Sequence, residues 1–201
     1  MTKLSPIDAA AKEFLHDVDS GDKALVPTPD LNEAQQFLDL LEPGGEFWFQ
    51  TAIEPKPEDG KASPRVLSGN LDQVGDQLVK LNQAGSAVWV QINAGTGRNN
   101  SDVNRVRAYF VDQDKGSTEL LFESAHPADV IVESSPGKFH GYWLTGNAPL
   151  DSFATRMHAL ADKFDGDHSV CHLGRVMRLP GFFHLKDEPF MSRIVKIREG
   201  L

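Results

Sequence analysis

The feature that most constrains the fold is an apolar strand pattern that runs directly into two aspartates. The segment Ala108-Tyr-Phe-Val111 continues without a break into Asp112-Gln-Asp114. Residues two apart in a strand point to the same side, so both carboxylates leave the sheet on one face at the strand end. Such groups repel each other unless a cation lies between them, and hard cations such as Mg²⁺ prefer carboxylate oxygens. The pattern predicts either a metal site or two solvated aspartates that open a turn.

The rest of the chain supplies helices and further strands around this one. The predicted helices cover 30–41, 71–83 and 150–164, and the predicted strands cover 46–53, 87–92, 106–111, 129–133, 139–144 and 193–197. The segments 129–133 and 139–144 pair as a hairpin, because a Pro-Gly turn signal lies between them. This order favours an α+β domain, with a palm-like (RRM-like) mixed or antiparallel sheet and flanking helices, over a doubly wound parallel sheet.

Composition places the chain among ordinary globular domains, with 40% hydrophobic and 24% charged residues in 201. No run approaches the roughly 20 apolar residues of a membrane span, and the first residues lack the apolar block of a secretory signal. The single cysteine, Cys171, excludes an internal disulfide, so we expect a cytoplasmic protein. The net charge of −9 lies entirely in residues 1–60, which leaves the remainder free to form a local basic groove.

Two further stretches carry residues suited to anionic ligands. Ser135, Lys138 and His140 flank the Pro-Gly turn of the predicted hairpin, where an ammonium, an imidazole and backbone amides can hold phosphate oxygens. The alternative is a surface hairpin with a partly buried histidine. Arg175 and Arg178 precede a second Pro-Gly pair, and two arginines at this spacing make either a phosphate clamp or an ion pair with a core carboxylate.

These stretches, in this order, resemble the three motifs of the archaeo-eukaryotic primase superfamily. More narrowly, they are similar to the RepB-type primases and primase-polymerases of plasmids, phages and mobile elements. The motifs are Phe110-Val-Asp112-Gln-Asp114, Ser134-Ser-Pro-Gly-Lys-Phe-His140-Gly-Tyr-Trp143, and the stretch from Asp167 through Arg175-Val-Met-Arg178-Leu-Pro-Gly181. The resemblance spans roughly residues 24–196. It implies a primase-polymerase catalytic domain over residues 24–201, which can be the excised part of a longer protein, after an N-terminal segment, residues 1–23.

The resemblance implies a DNA-templated nucleotidyltransferase that makes primers or extends DNA on single-stranded templates in plasmid or phage replication. In such enzymes two Mg²⁺ or Mn²⁺ ions are bound by the strand-end aspartates, here Asp112 and Asp114, and by a later acid. For that acid we favour Asp167 over Asp165. The residues implied to bind the phosphates of the nucleotide are Ser135, Lys138, His140, Arg175 and Arg178. The implied partners are single-stranded DNA, a dNTP or NTP, and a downstream helicase or helical primase domain.

Zinc is not expected. The residue types of His168, Cys171, His172 and His184 suit zinc, but there is no second cysteine, and the adjacent Cys171 and His172 rarely both reach one tetrahedral ion. A buried Cys171 with surface histidines fits the pattern better.

Two other functions stay open. A non-catalytic palm domain would bind single-stranded nucleic acid without incorporating nucleotides. A rolling-circle or relaxase-type nicking endonuclease needs a catalytic tyrosine and usually a His-x-His metal pair. The chain has only Tyr109 and Tyr142, both in predicted strands, and no His-x-His, which makes the nicking enzyme the weaker alternative.

Overall fold

Two antiparallel sheets with helices packed against them make up the part of the chain that the computed structural model describes, residues 26–55, 64–115 and 118–201. The predicted N-terminal segment, residues 1–23, lies outside these residues. The helices are α1 Leu31–Leu41, α2 Leu71–Gln83, α3 Thr118–Phe122 and α4 Phe153–Phe164. The strands are β1 Phe47–Ile53, β2 Arg65–Gly69, β3 Ser86–Gln91, β4 Ala94–Gly95, β5 Val103–Gln113, β6 Val130–Ser135, β7 Lys138–Ala148, β8 Val176–Arg178, β9 Phe183–His184, β10 Phe190–Met191 and β11 Arg193–Ile197.

The strand order explains how distant motifs come together. The first sheet has the order β2-β1-β3-β8, the second has the order β11-β6-β7-β5-β4, and β9 and β10 form a small hairpin. In the second sheet Asp112 lies opposite His140, and in the first Trp89 lies opposite Arg178. The predicted α+β architecture with an antiparallel sheet and flanking helices is confirmed.

Local signals set the helix ends. Asp30 caps α1 through its carboxylate, which accepts from the backbone N–H groups of Asn32 and Glu33. Asn70 and Gln73 form a reciprocal capping box at the start of α2. Helix α4 begins at Phe153 rather than at residue 150, because the preceding residues form a turn closed by the Phe153 N–H on the Leu150 carbonyl.

The hairpin is tighter than its sequence suggested. β6 continues to Ser135 and β7 begins at Lys138, so only Pro136 and Gly137 turn the chain, and Ser135 pairs directly with Lys138. Gly137 adopts a left-handed φ of 72°, which favours glycine. The two predicted phosphate-binding residues are therefore fixed across one ladder position rather than lying in a loop.

Strand β5 is buried on both faces. Phe110 packs into the larger apolar cluster with Tyr142, whose ring meets the edge of Phe37 at 5.1 Å between centroids. On the opposite face Val111 packs into a second cluster with Leu121 and other apolar residues. Since both faces are covered, the polar groups at the end of β5 emerge beside apolar residues.

Short strands were the main omission of the sequence analysis. Strand β2 is a largely exposed edge strand of five residues, and β8 has only three, so neither gives a clear alternation. In the described part of the chain, no helix is both long enough and apolar enough to cross a bilayer.

Gly181, the last residue of the Arg-Leu-Pro-Gly stretch, has a structural role that predicts a measurable loss of stability. Its φ is +83°, and a Cβ there would lie 2.2 Å from the carbonyl oxygen of Asp30, the α1 cap. Gly44 has a similar φ of +67° with nothing within 4 Å. We expect Gly44→Ala to lower the free energy of unfolding by about 1 kcal/mol, and Gly181→Ala by about 2–4 kcal/mol, because strain and overpacking add. Urea unfolding of both variants measures this, and equal losses would contradict the close approach.

Candidate active site

The predicted site residues meet in a cavity of about 450 Å³ between the two sheets. Its wall is built from the ends of β1, β3 and β5, the β6–β7 hairpin, β8 and the segment that follows β9. All but one of the predicted site residues line it: Asp112, Asp114, Ser135, Lys138, His140, Arg175 and Arg178. The exception is Asp167.

His140 is buried between Asp112 and Tyr142. Its Nε2 lies 3.5 Å from Asp112 Oδ1, and its Nδ1 lies 3.1 Å from the Tyr142 hydroxyl. Burial lowers the pKa of His140, while the charge of Asp112 acts in the opposite direction. Burial also raises the pKa of Tyr142, so its phenol stays protonated and can donate to Nδ1. That arrangement leaves the proton of a neutral imidazole on Nε2, next to Asp112.

Asp114 and Lys138 form a more open pair at the mouth of the cavity. Lys138 Nζ lies 3.0 Å from Asp114 Oδ1, and both side chains are about half exposed, at 46% and 51%. An exposed ion pair of this kind contributes only about 0–1 kcal/mol. Either partner can therefore exchange the other for a ligand at little cost.

Arg178 forms the ion pair with a buried carboxylate that its sequence pattern left open. Its guanidinium lies 3.1 Å from Glu54 Oε1 and 5.1 Å above the ring centre of Trp89. His184 Nδ1 lies 3.3 Å from Glu54 Oε2, and the Leu185 N–H donates to the same oxygen. Burial favours the neutral acid, but His184, Arg178 and the Leu185 amide together hold the pKa of Glu54 at about 2.

The sequence did not indicate that three further residues belong to one site: Glu54, Trp89 and His184. Glu54 follows β1 directly, at the start of a proline-rich stretch, and resembles any loop acid in a single sequence. The available signal was Arg178, because its sequence pattern allowed an ion pair with a core carboxylate.

Arg175 is the cavity arginine without a carboxylate partner. It is half-buried, makes no ion pair within the described residues, and its Nε is buried with no hydrogen-bond partner there. A guanidinium presented in this way is suited to an anionic oxygen.

Asp167 lies beside Asp112 in space, but its carboxylate is engaged elsewhere. Its backbone N–H donates to the Asp112 carbonyl at 2.8 Å, while its Oδ1 accepts from the Ser169 N–H at 2.7 Å. Hydrogen bonds from Ser169 lower the pKa of Asp167. The loop approaches β5 this closely because Gly166 has no Cβ, which would lie 2.1 Å from Val111 Cγ2. Asp165 is exposed at the end of α4.

Three arginines that precede the two aspartates in the chain lie away from the cavity wall. Arg105 and Arg107 both pair with Glu42, and Arg98 binds the side chains of Gln50 and Gln91. These three arginine side chains therefore stabilise the fold through contacts outside the cavity.

The four candidate zinc ligands do not assemble as one set. His172 Nδ1 lies 3.2 Å from Asn100 Oδ1, and His184 lies beside Glu54. Cys171 is buried, as the sequence indicated.

Most of the cavity residues, though not Glu54 and Trp89, fall in a segment with known relatives. Residues 98–196 match the family model of the RepB DNA-primase N-terminal domain. Over this segment, about half of the chain, the protein resembles the RepB-type primases. The family resemblance given by the three sequence motifs is therefore confirmed. No curated protein matches the chain in sequence.

Solved structures of RepB-type primases and a phage primase-polymerase share this fold. The AEP domain of the cyanophage S-2L primase-polymerase is 18% identical, with a TM-score of 0.72 over 87% of this chain and 94% of that chain. The catalytic domain of primase RepB′, determined in complex with initiator DNA, is 18% identical, with a TM-score of 0.57 over 82% and 85% of the two chains. A second RepB′ structure, also 18% identical, gives a TM-score of 0.60 over 84% and 56%. At this identity the likeness shows the fold.

The low pKa of Glu54 predicts an acid-dependent loss of stability. A carboxyl whose pKa is 4.5 when unfolded and about 2 when folded stabilises the fold above pH 4.5, and that contribution is lost as the pH falls towards 2. We expect Glu54→Gln to lower the free energy of unfolding at pH 6 by at most about 3 kcal/mol, and the difference from wild type to shrink below pH 4.5.

Urea unfolding between pH 6 and pH 2.5 measures this difference. The matched control is Glu199→Gln, because Glu199 is exposed, and this variant should follow wild type at every pH. A Glu54→Gln deficit that does not change with pH would contradict the assignment.

Proposed function

We propose that the chain is a DNA-templated nucleotidyltransferase, a primase or primase-polymerase that joins nucleotides on a single-stranded template. The observation that carries this proposal is the cavity itself, in which two strand-end aspartates face a lysine, a histidine and an arginine with no carboxylate partner. The enzyme would transfer a nucleotide from a dNTP or NTP to a 3′-hydroxyl and release pyrophosphate. RepB′ was determined in complex with initiator DNA, which supports DNA as a partner here.

The donor set of the cavity fits divalent magnesium or manganese. Asp112 and Asp114 present carboxylate oxygens on one side of a strand end, as hard cations require. Each aspartate has only a weak contact at present. The His140 imidazole beside Asp112 is neutral, and the ion pair between Lys138 and Asp114 is exposed. Bound there, such ions would lower the pKa of the attacking hydroxyl and stabilise the negative charge of the leaving group.

The remaining cavity residues are suited to the triphosphate. Lys138, once released from Asp114, lies next to the backbone turn formed by Pro136 and Gly137. Ser135 lies opposite Lys138 in the ladder and offers a hydroxyl. A neutral His140 with its proton on Nε2 donates one hydrogen bond without adding charge. Together these groups provide directional donors on one side of the cavity.

Arg175 and Arg178 have different parts in this proposal. Arg175 meets the phosphates as a cation, since its charge is not matched by a carboxylate in the described residues. Arg178 is already neutralised by Glu54 and is held against Trp89. It would shape the opposite wall and keep its guanidinium oriented, while contributing less net charge.

Asp167 is our candidate for the third acidic ligand. Its backbone is fixed at Asp112, so a change of side-chain rotamer, with loss of the Ser169 contacts, would direct the carboxylate towards the aspartate pair. Glu54 lines the cavity but is a poor alternative, because Arg178 and His184 already occupy its oxygens.

One observation favours a second candidate, a palm domain that binds single-stranded nucleic acid without catalysis. Asp167 is engaged by Ser169 rather than facing the cavity, so only two of the three implied acidic ligands, Asp112 and Asp114, line it. A nicking endonuclease is disfavoured, because Tyr142 is fully buried, Tyr109 stacks on Phe153 at 5.6 Å, and neither lines the cavity.

Nucleotide incorporation on single-stranded DNA tests the proposal. With Mg²⁺ or Mn²⁺, and with or without a primer, we expect metal-dependent products from wild type and a loss of about 100-fold or more in Asp112→Asn and Asp114→Asn. Thermal midpoints near wild type would show that both variants fold. Retained incorporation in either variant would contradict the metal-site assignment, and single-strand binding without incorporation by wild type would identify the non-catalytic domain.

The same assay separates the two candidates for the third acid. Asp167→Asn should resemble the Asp112 and Asp114 variants, while Asp165→Asn, the matched control two residues away, should retain wild-type incorporation. The reverse pattern would reassign the ligand.

A further inference from the structure

A second group of metal-ligating side chains lies outside the cavity. It joins His158 on α4 to His168 and Cys171, which lie in and directly after the 3₁₀ turn His168–Val170. A ring nitrogen of each histidine and the Cys171 sulfur lie within 4.8 Å of one another. The two Nδ1 atoms are 3.0 Å apart, and the rings stack at 5.2 Å. Three side chains of types that zinc accepts therefore lie close together.

The outer nitrogen of His168 also has the partner that metal-bound histidines usually have. Asp162 Oδ1 lies 3.2 Å from His168 Nε2, on the side of the ring away from His158 Nδ1. Histidine ligands commonly donate their second ring N–H to a carboxylate, which fixes the tautomer and raises the basicity of the ligating nitrogen. Asp162 follows His158 by four residues on α4, so both lie on the same face of the helix.

We propose that His158 Nδ1, His168 Nδ1 and Cys171 Sγ bind one zinc ion, with Asp162 orienting His168 through its outer nitrogen. Two imidazoles and a thiolate are preferred zinc ligands, and a tetrahedral ion would keep its fourth position for water. Zinc–nitrogen and zinc–sulfur bonds place such ligand atoms about 3.3–3.6 Å apart, so the longest separation has to shorten by about 1 Å. The exposed histidine side chains can make that adjustment.

The surroundings favour a cation at this position. Burial raises the pKa of Cys171, and the negative charges of Asp167 and Asp162 raise it further. The same charges that disfavour a bare thiolate favour a thiolate neutralised by a divalent ion, which displaces the thiol proton on binding. Asp162 and Asp167 thus attract the metal without being its ligands.

The metal would join α4 to the turn that Asp167 begins. Asp167 caps this turn through Ser169, and its backbone N–H holds the carbonyl of Asp112. A zinc bridge between His158 and the turn would restrict the motion of this segment against β5. The site is separate from the cavity, since none of its three ligands lines that wall.

Cobalt titration of the full chain tests the site, because Cys171 is the single cysteine and a thiolate-to-cobalt charge-transfer band can come from it alone. We expect the band at one Co²⁺ per chain, removed by added Zn²⁺, and present also in the double variant Asp112→Asn/Asp114→Asn. Cys171→Ser should abolish the band. His158→Gln and His168→Gln should weaken Co²⁺ binding strongly, and Asp162→Asn by about 10–100-fold.

The matched control is His126→Gln, because His126 is exposed and belongs to neither site. It should bind Co²⁺ like wild type, and circular dichroism confirms that each variant is folded. Absence of the band in wild type would overturn the proposal. So would a band that persists unchanged in both His158→Gln and His168→Gln, since the cysteine would then bind cobalt without them.

Discussion

The register of β5 against β7 is the constraint on which the site depends. Pairing Asp112 with His140 brings two motifs nearly thirty residues apart to one end of the sheet, and the two-residue turn then fixes Lys138 and Ser135 beside them. A slip of one residue would move every side chain of β5 to the opposite face. Such a slip is opposed by apolar clusters on both faces, because Phe110 and Val111 each have a filled site of their own.

Charge compensation explains how so many ionisable groups share one cavity. Glu54 and Arg178 neutralise each other in a buried pair that fixes the wall, whereas Asp114 and Lys138 form an exposed pair that separates easily. His140 adds no charge to the cavity, because burial lowers its pKa and keeps the imidazole neutral. Arg175 makes no ion pair with a carboxylate in the described residues, and its buried Nε has no hydrogen-bond partner there, which favours an anionic ligand in the cavity.

The sequence predicted what depends on local pattern. Helices α1 and α2 and the strand that runs into Asp112 follow from the spacing of apolar residues, and they are confirmed. The short strand β8 could not be read in this way, because its three residues are extended only through pairing with β3.

The residues of the site divide in the same way into those that local sequence pattern predicts and those that it does not. The residues predicted to line it came from three contiguous motifs, whereas Glu54 and Trp89 belong to it because β3 pairs with both β1 and β8. The orientation of the Asp167 carboxylate towards Ser169 is likewise a matter of side-chain rotamer, which spacing does not encode. Sequence reasoning therefore could not predict long-range strand pairing or the direction of individual side chains.

The central claim is that the two strand-end aspartates form a divalent-metal site that meets a nucleoside triphosphate. Electron paramagnetic resonance of free Mn²⁺, titrated with protein in the presence and absence of a non-hydrolysable triphosphate, tests it most directly. The account predicts that wild type and Asp165→Asn bind Mn²⁺ more tightly when the triphosphate is present, and that Asp112→Asn weakens binding by at least about tenfold. Equal Mn²⁺ affinity in Asp112→Asn and wild type would contradict it.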